Sequence, residues 1–150
     1  MHIIESGNVA AANAGSNSVS ILLGNGAGRF GAAARFSSGG SSPNRLTAAD
    51  FDRDGKIDLA VSNGASAVGI GILRGNGAGG FAAAEMHSSG AANPSGVVAG
   101  DFNDDGVQDL AAIHGGNVAV MYGAVSGTGV DSFPTIKTFS SGGTASWLAT

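Results

Sequence analysis

Asp50-Phe51-Asp52-Arg53-Asp54-Gly55-Lys56-Ile57-Asp58 returns about 51 residues later as Asp101-Phe102-Asn103-Asp104-Asp105-Gly106-Val107-Gln108-Asp109. Oxygen-bearing side chains stand at positions 1, 3, 5 and 9 of each window, with Gly at position 6. The two windows hold eight of the eleven acidic residues of the chain. Carboxylates gathered so densely repel one another unless a cation or hydrogen-bond donors compensate them. Ca2+ is a hard cation that takes about six to eight oxygens from carboxylates, amides, carbonyls and water. Alternate residues of a tight loop turn inward, Gly allows the sharp bend, and the position-7 carbonyl can complete the shell. The candidate ligands are therefore Asp50, Asp52, Asp54, Lys56 and Asp58 in one loop, and Asp101, Asn103, Asp105, Val107 and Asp109 in the other. About two Ca2+ per chain are expected, in a structural role tying one strand to the next.

An EF-hand is excluded, because Val61 and Ala112 stand where its bidentate Glu is required. The plainer reading is a pair of Asp-Gly turns. Two copies in register at the repeat period favour the cation.

The repeat extends beyond these loops. Gly24-Asn25-Gly26-Ala27-Gly28 returns as Gly75-Asn76-Gly77-Ala78-Gly79, and Phe36-Ser37-Ser38-Gly39 as His87-Ser88-Ser89-Gly90 and Phe139-Ser140-Ser141-Gly142. Within one period four short apolar strands are predicted, at Arg45 to Phe51, Asp58 to Ser62, Val68 to Leu73 and Phe81 to Met86. Continuous apolar runs such as Leu59-Ala60-Val61 fit a sheet covered on both faces. Four antiparallel strands per unit, stacked radially, is the pattern of a β-propeller; a β-solenoid is the alternative, with shorter rungs. The chain reads as one repeat domain, with approximate units 8–58, 59–109 and 110–150.

Composition agrees with an all-β fold. Gly occurs 27 times, and each one inside a helix would cost about 1 kcal/mol relative to Ala. A net charge of -4, with Lys and Arg scattered singly, gives no surface for nucleic acid. No apolar run approaches the ~18 residues of a membrane span, and the first residues do not form a signal peptide.

The segments Ala49 to Asn63 and Gly100 to Ile113, each followed by an Asn-Gly hairpin or its variant, resemble the FG-GAP and VCBS-type repeats of integrin α-subunit propellers and bacterial surface proteins. That resemblance implies propeller blades and Ca2+ held by the loop within a blade; because Ca2+ is high outside cells, an extracellular or cell-surface setting is expected for loops that need it. The resemblance assigns Asp50, Asp52, Asp54 and Asp58, then Asp101, Asn103, Asp105 and Asp109, as ligands, and leaves Asp104 in a non-ligand slot. The family's Gly-Ala-Pro element is missing. Asn8-Val9-Ala10 aligns with Asp58-Leu59-Ala60, and Ile4 to Asn8 lacks carboxylates, so no third site is expected.

About three repeats are too few to close a propeller, which takes about four to eight blades. The phase suggests a cut between strands one and two of a blade. Ser146 to Ala149 would then supply strand one to another copy, and a homodimer would complete a six-bladed ring. The alternative is that missing blades of a longer chain close it. His2, His87 and His114 are read as structural, and the Gly24 to Gly28 stretch as a hairpin turn rather than a phosphate loop. Trp147 is expected in a core or an interface, and Val130 to Phe133 in a variant hairpin of the third repeat. Only Glu5, Glu85 and Asp131 lie outside the Asp-rich loops, which leaves little for acid-base chemistry. The expected function is binding or adhesion without catalysis, with glycans as a ligand class. An accessory domain of a polysaccharide-degrading enzyme and a purely structural or designed self-assembling scaffold are the other readings.

Overall fold

The computed structural model describes residues 2–5, 7–125 and 130–145. Among them, strands form three four-stranded antiparallel sheets, each a simple up-and-down meander. The first sheet contains β1 (His2–Glu5), β2 (Asn8–Asn13), β3 (Ser18–Leu22) and β4 (Ala34–Ser37). The second contains β5 (Pro43–Ala49), β6 (Asp58–Asn63), β7 (Gly69–Leu73) and β8 (Glu85–Ser88). The third contains β9 (Gly96–Gly100), β10 (Asp109–His114), β11 (Asn117–Val125) and β12 (Val130–Ser140). One short 3-10 turn, Ala14–Ser16, joins β2 to β3. No helix among the described residues is long and apolar enough to cross a membrane.

The fold is thus all-β, and the sheets have the four-stranded meander form of propeller blades. Three expectations need correction. The first sheet already has its strand one, because β1 pairs with β2 through His2↔Ala10 and Ile3↔Val9. The place assigned to Ser146 to Ala149 of another copy is therefore filled from within the chain. The fourth strand of the second sheet is β8, Glu85–Ser88, displaced from Phe81 to Met86. A tight turn occupies the earlier residues, with Ala82 N–H donating to Arg74 O at 2.8 Å and Asn76 N–H to Gly80 O at 3.0 Å. The first strand stops at Ala49, and Phe51 belongs to the Asp-rich loop, where its N–H turns to Asp58. Ser146 to Ala149 and Trp147 lie outside the described residues, as do the side chains of His2, Glu5 and Asp131.

Two cores lie between the sheets, and β6 faces both. Its side chains alternate across the sheet, so Leu59 and Val61 join Leu73 against Ala10, Val19 and Ile21 of the first sheet. Ala60 turns the other way, with Phe51, Ile70 and Ile72, against Val97, Leu110, Ala112 and Met121 of the third sheet. All six residues of β6 are buried, which is why the strand reads as continuously apolar from Leu59 to Val61. The first strand of the middle sheet, β5, packs against β1 and β2 on one side and β9 on the other.

The same joint is built twice. Between the first and second sheets, Phe36 meets Phe81 edge to face, with centroids 5.5 Å apart, and Asn63 Nδ2 donates to Ser38 O at 3.1 Å. Between the second and third, His87 meets Phe133 at 5.5 Å, and His114 Nε2 lies 3.0 Å from Ser89 O. Edge-to-face geometry places the positive ring edge on the negative ring face. The polar contact satisfies a strand-end carbonyl that stacking would otherwise bury unpaired.

Candidate metal centre

Each Asp-rich loop connects strand one of a sheet to strand two, Ala49 to Asp58 and Gly100 to Asp109. Both fold alike. Position 4 is left-handed in each, with φ of 60° at Arg53 and 59° at Asp104, and position 6 is Gly at 82° and 79°. These two reversals curl the backbone so that N–H groups point inward at the first carboxylate. Asp54 N–H donates to Asp50 Oδ1 at 3.1 Å and Gly55 N–H to Asp50 Oδ2 at 2.9 Å. Asp105 N–H and Gly106 N–H repeat this on Asp101, at 3.1 and 2.8 Å. The Gly106 N–H is the main reason that the Asp101 carboxyl is held below the usual carboxylate range.

Position 9 is the buried anchor. Asp58 accepts from Phe51 N–H at 3.1 Å and from Gly75 N–H, beyond β7, at 2.8 Å. Asp109 accepts from Phe102 N–H at 2.9 Å and from Gly123 N–H at 2.8 Å. The first sheet keeps half of this device, because Gly24 N–H donates to Asn8 Oδ1 at 3.0 Å. Gly is required at these donor positions. A Cβ at Gly24, Gly75 or Gly123 would collide with the carbonyl oxygen of Gly7, Ile57 or Gln108. Burial pushes the carboxyls of Asp58 and Asp109 upward, since leaving water disfavours their charge.

Of the first loop's sequence-assigned residues, Asp50, Asp52 and Asp58 converge, each offering an oxygen within 4.8 Å of the others. These three can hold a metal ion. The Asp54 carboxylate is turned to Lys56, which pairs with it through Nζ and holds it below its usual range. Lys56 and Val107, at position 7, tie back through N–H groups to Asp54 Oδ1 at 2.9 Å and Asp105 Oδ1 at 2.8 Å. In the second loop Asn103 Nδ2 donates to Asp105 Oδ2 at 2.9 Å, so Asn103 and Asp105 face one another. Asp104 is exposed at its left-handed position, away from the ligand slots.

Sequence reasoning missed Arg74. Its Nη1 lies 3.4 Å from Asp58 Oδ2 and 3.7 Å from Asp52 Oδ2, while Nη2 lies 3.6 Å from Glu85. The guanidinium thus touches two of the three converging carboxylates. Arg74 precedes Gly75, whereas Tyr122 precedes the equivalent Gly123 and carries Lys137 Nζ over its ring, 5.3 Å from the centroid. That difference could have been read from the sequence once the two glycines were aligned.

Curled Asp-rich loops between the first two strands of four-stranded blades define a repeat module of the propeller-blade class. FG-GAP-like repeats match residues 8–61 and 50–112, more than half of the chain, and the chain belongs to that family. Neither the curated proteins nor the solved structures provide a match.

Proposed function

We propose that the chain is a calcium-stabilised binding module of the adhesion type, acting outside the cell, with a carbohydrate as its ligand class. The observation that carries this reading is the convergence of Asp50, Asp52 and Asp58 in a loop whose fold is repeated at Asp101 to Asp109. A cation seated there would bridge strands one and two and compensate the buried Asp58 and Asp109. It would also replace repulsion by coordination. An all-oxygen donor set of carboxylates and amides favours Ca2+ over softer metals. A role outside the cell follows from this dependence, because free calcium is plentiful there.

Binding rather than hydrolysis is supported by where the acids lie. Outside the loops, Glu85 is engaged by Arg74, so it is poorly placed as one half of a free acid pair. Calcium titration by calorimetry, with melting temperature followed in calcium and in chelator, tests the metal. Binding of about two ions with a rise in melting temperature is expected, and no binding at millimolar calcium refutes the reading. A glycan array on the calcium-loaded chain tests the ligand. Failure on every glycan would remove carbohydrate while leaving calcium stabilisation in place, and would favour a structural scaffold.

A further inference from the structure

The two internal joints show what each sheet asks of its neighbour, and the two outermost sheet faces each carry half of a third joint. The outer face of the third sheet has Phe139 at the place of Phe36 and His87, and Ser141 at the place of Ser38 and Ser89. The equivalence is geometric as well as sequential. Ser38 N–H donates to Asn17 O, and Ser141 N–H to Gly116 O, closing the same turn. Phe139 is 50% exposed and Phe102 40% exposed, whereas Phe51, the equivalent of Phe102, is buried to 1% under the third sheet. Cross-strand neighbours of Phe139 and Ala111 extend this face through Val118, Val120 and Val98, and Lys137, opposite Val120, lies over the Tyr122 ring beside them.

The outer side of the first sheet carries the complement. Phe30 stands where Phe81 and Phe133 stand in the internal joints, and it is 51% exposed. Its bridge to Gly24 copies the bridge of Phe81 to Gly75. Asn13 stands at the end of β2, as Asn63 ends β6 and His114 ends β10. Asn63 and His114 reach back to the preceding sheet's Ser carbonyl, whereas Asn13 Nδ2 turns to Ser20 Oγ at 2.9 Å within its own sheet.

We propose that these faces dock on one another between two copies of the chain, third sheet to first sheet. Phe139 of one copy would meet Phe30 of the other edge to face, and Asn13 Nδ2 would donate to the Ser141 carbonyl. The occupant is a second copy because, among the described residues, each half-joint is complementary to the one at the other end of the same three-sheet stack. Two such joints close a ring of two chains, which leaves no apolar sheet face in water and stops further growth. The contact is face to face and exchanges no strand, since β1 already completes the first sheet.

The test is the mass of the intact chain by light scattering or sedimentation equilibrium in calcium. Twice the 14.4 kDa chain mass is expected. Phe139→Asp and Phe30→Asp, both at exposed positions, should each weaken the dimer at least about tenfold while leaving the far-ultraviolet circular dichroism unchanged. Because the chain has no Cys, and a Cβ at Gly40 would approach Asn63 Cβ to 2.8 Å in the internal joint, Asn13→Cys with Gly143→Cys at the equivalent positions supplies a second measurement. That double variant should form a covalent dimer under oxidation and stay monomeric by mass under reducing denaturation. A folded wild-type monomer would overturn the proposal and indicate further blades of a longer chain as the occupant. Open head-to-tail polymers would overturn twofold closure, and dimers insensitive to both Asp variants and to crosslinking would place the interface elsewhere.

Discussion

Replacing Arg74 by Met should tighten calcium binding at one loop and leave the other unchanged. The guanidinium sits 3.4 and 3.7 Å from oxygens of Asp58 and Asp52, so a cation among Asp50, Asp52 and Asp58 must share those oxygens with it. Taking the two cations ~4–5 Å apart, a double charge against a single one costs about 2 kcal/mol even at the dielectric constant of water. Arg74 can retreat toward Glu85, where Nη2 already lies 3.6 Å from the carboxylate, and salt screens a partly exposed group. Half of the repulsion, about 1 kcal/mol or roughly fivefold in affinity, is the expected gain. The first loop should therefore bind calcium about fivefold more weakly than its converging carboxylates would without the guanidinium. Arg74→Met should tighten the first loop's site about fivefold in a calorimetric or terbium-luminescence titration, with the second loop's constant unmoved. In chelator the same substitution should lower the melting temperature, because it removes the guanidinium beside Asp52 and Asp58. Tighter binding with a less stable calcium-free state is the signature of a tethered cation. Weakened binding, or two sites unmoved by Arg74→Met, would refute the reasoning.

Gly123→Ala should destabilise the fold by about 2–4 kcal/mol, read as a lower urea midpoint, because the new methyl meets Gln108 O and displaces the N–H from buried Asp109. Asp50→Ala should abolish binding at the first loop, whereas Asp54→Ala should weaken it less, since Asp54 is turned to Lys56; equal losses in titration would contradict the geometry. His87 is pulled below its usual range, chiefly by burial, with the Glu85 charge opposing and Arg74 assisting. The folded chain therefore takes up its proton later than the unfolded chain. Stability is full above about pH 6.5 and falls as the pH drops below it. His87→Phe, which restores the residue type of Phe36 and Phe139, should remove that part of the pH dependence. An unchanged stability profile between pH 7 and 5 in that variant would contradict the account.

The repeat, the all-β class and the loops were legible because each rests on a local rule. Gly55 and Gly106 mark a backbone reversal, alternate Asp residues mark an inward-facing oxygen set, and the Leu59 to Val61 run marks a strand buried on both faces. Strand ends were less legible. Phe81 is apolar and sits in a run that reads as a strand, yet it serves the joint with Phe36 and leaves ladder pairing to Glu85–Ser88. Phe51 likewise reads as the end of a strand, but its N–H is taken by the Asp58 carboxylate, which pulls it into the loop.

By itself, the sequence determined what depends on neighbours along the chain: the period, the turn chemistry and the oxygen-rich windows. Only the tertiary structure decided what depends on groups brought together across the chain. Gly75 donates to Asp58 and Gly123 to Asp109 over separations that no local pattern signals, and the reason for glycine there is the carbonyl of the last residue of each Asp-rich loop, Ile57 or Gln108. The guanidinium of Arg74 enters the first loop because the antiparallel register of β6 and β7, Leu59 opposite Leu73, brings residue 74 beside residue 58. The completion of the first sheet by His2–Glu5 was decided by the same kind of pairing, in which backbone hydrogen bonds carry the contact and side-chain identity carries little of it.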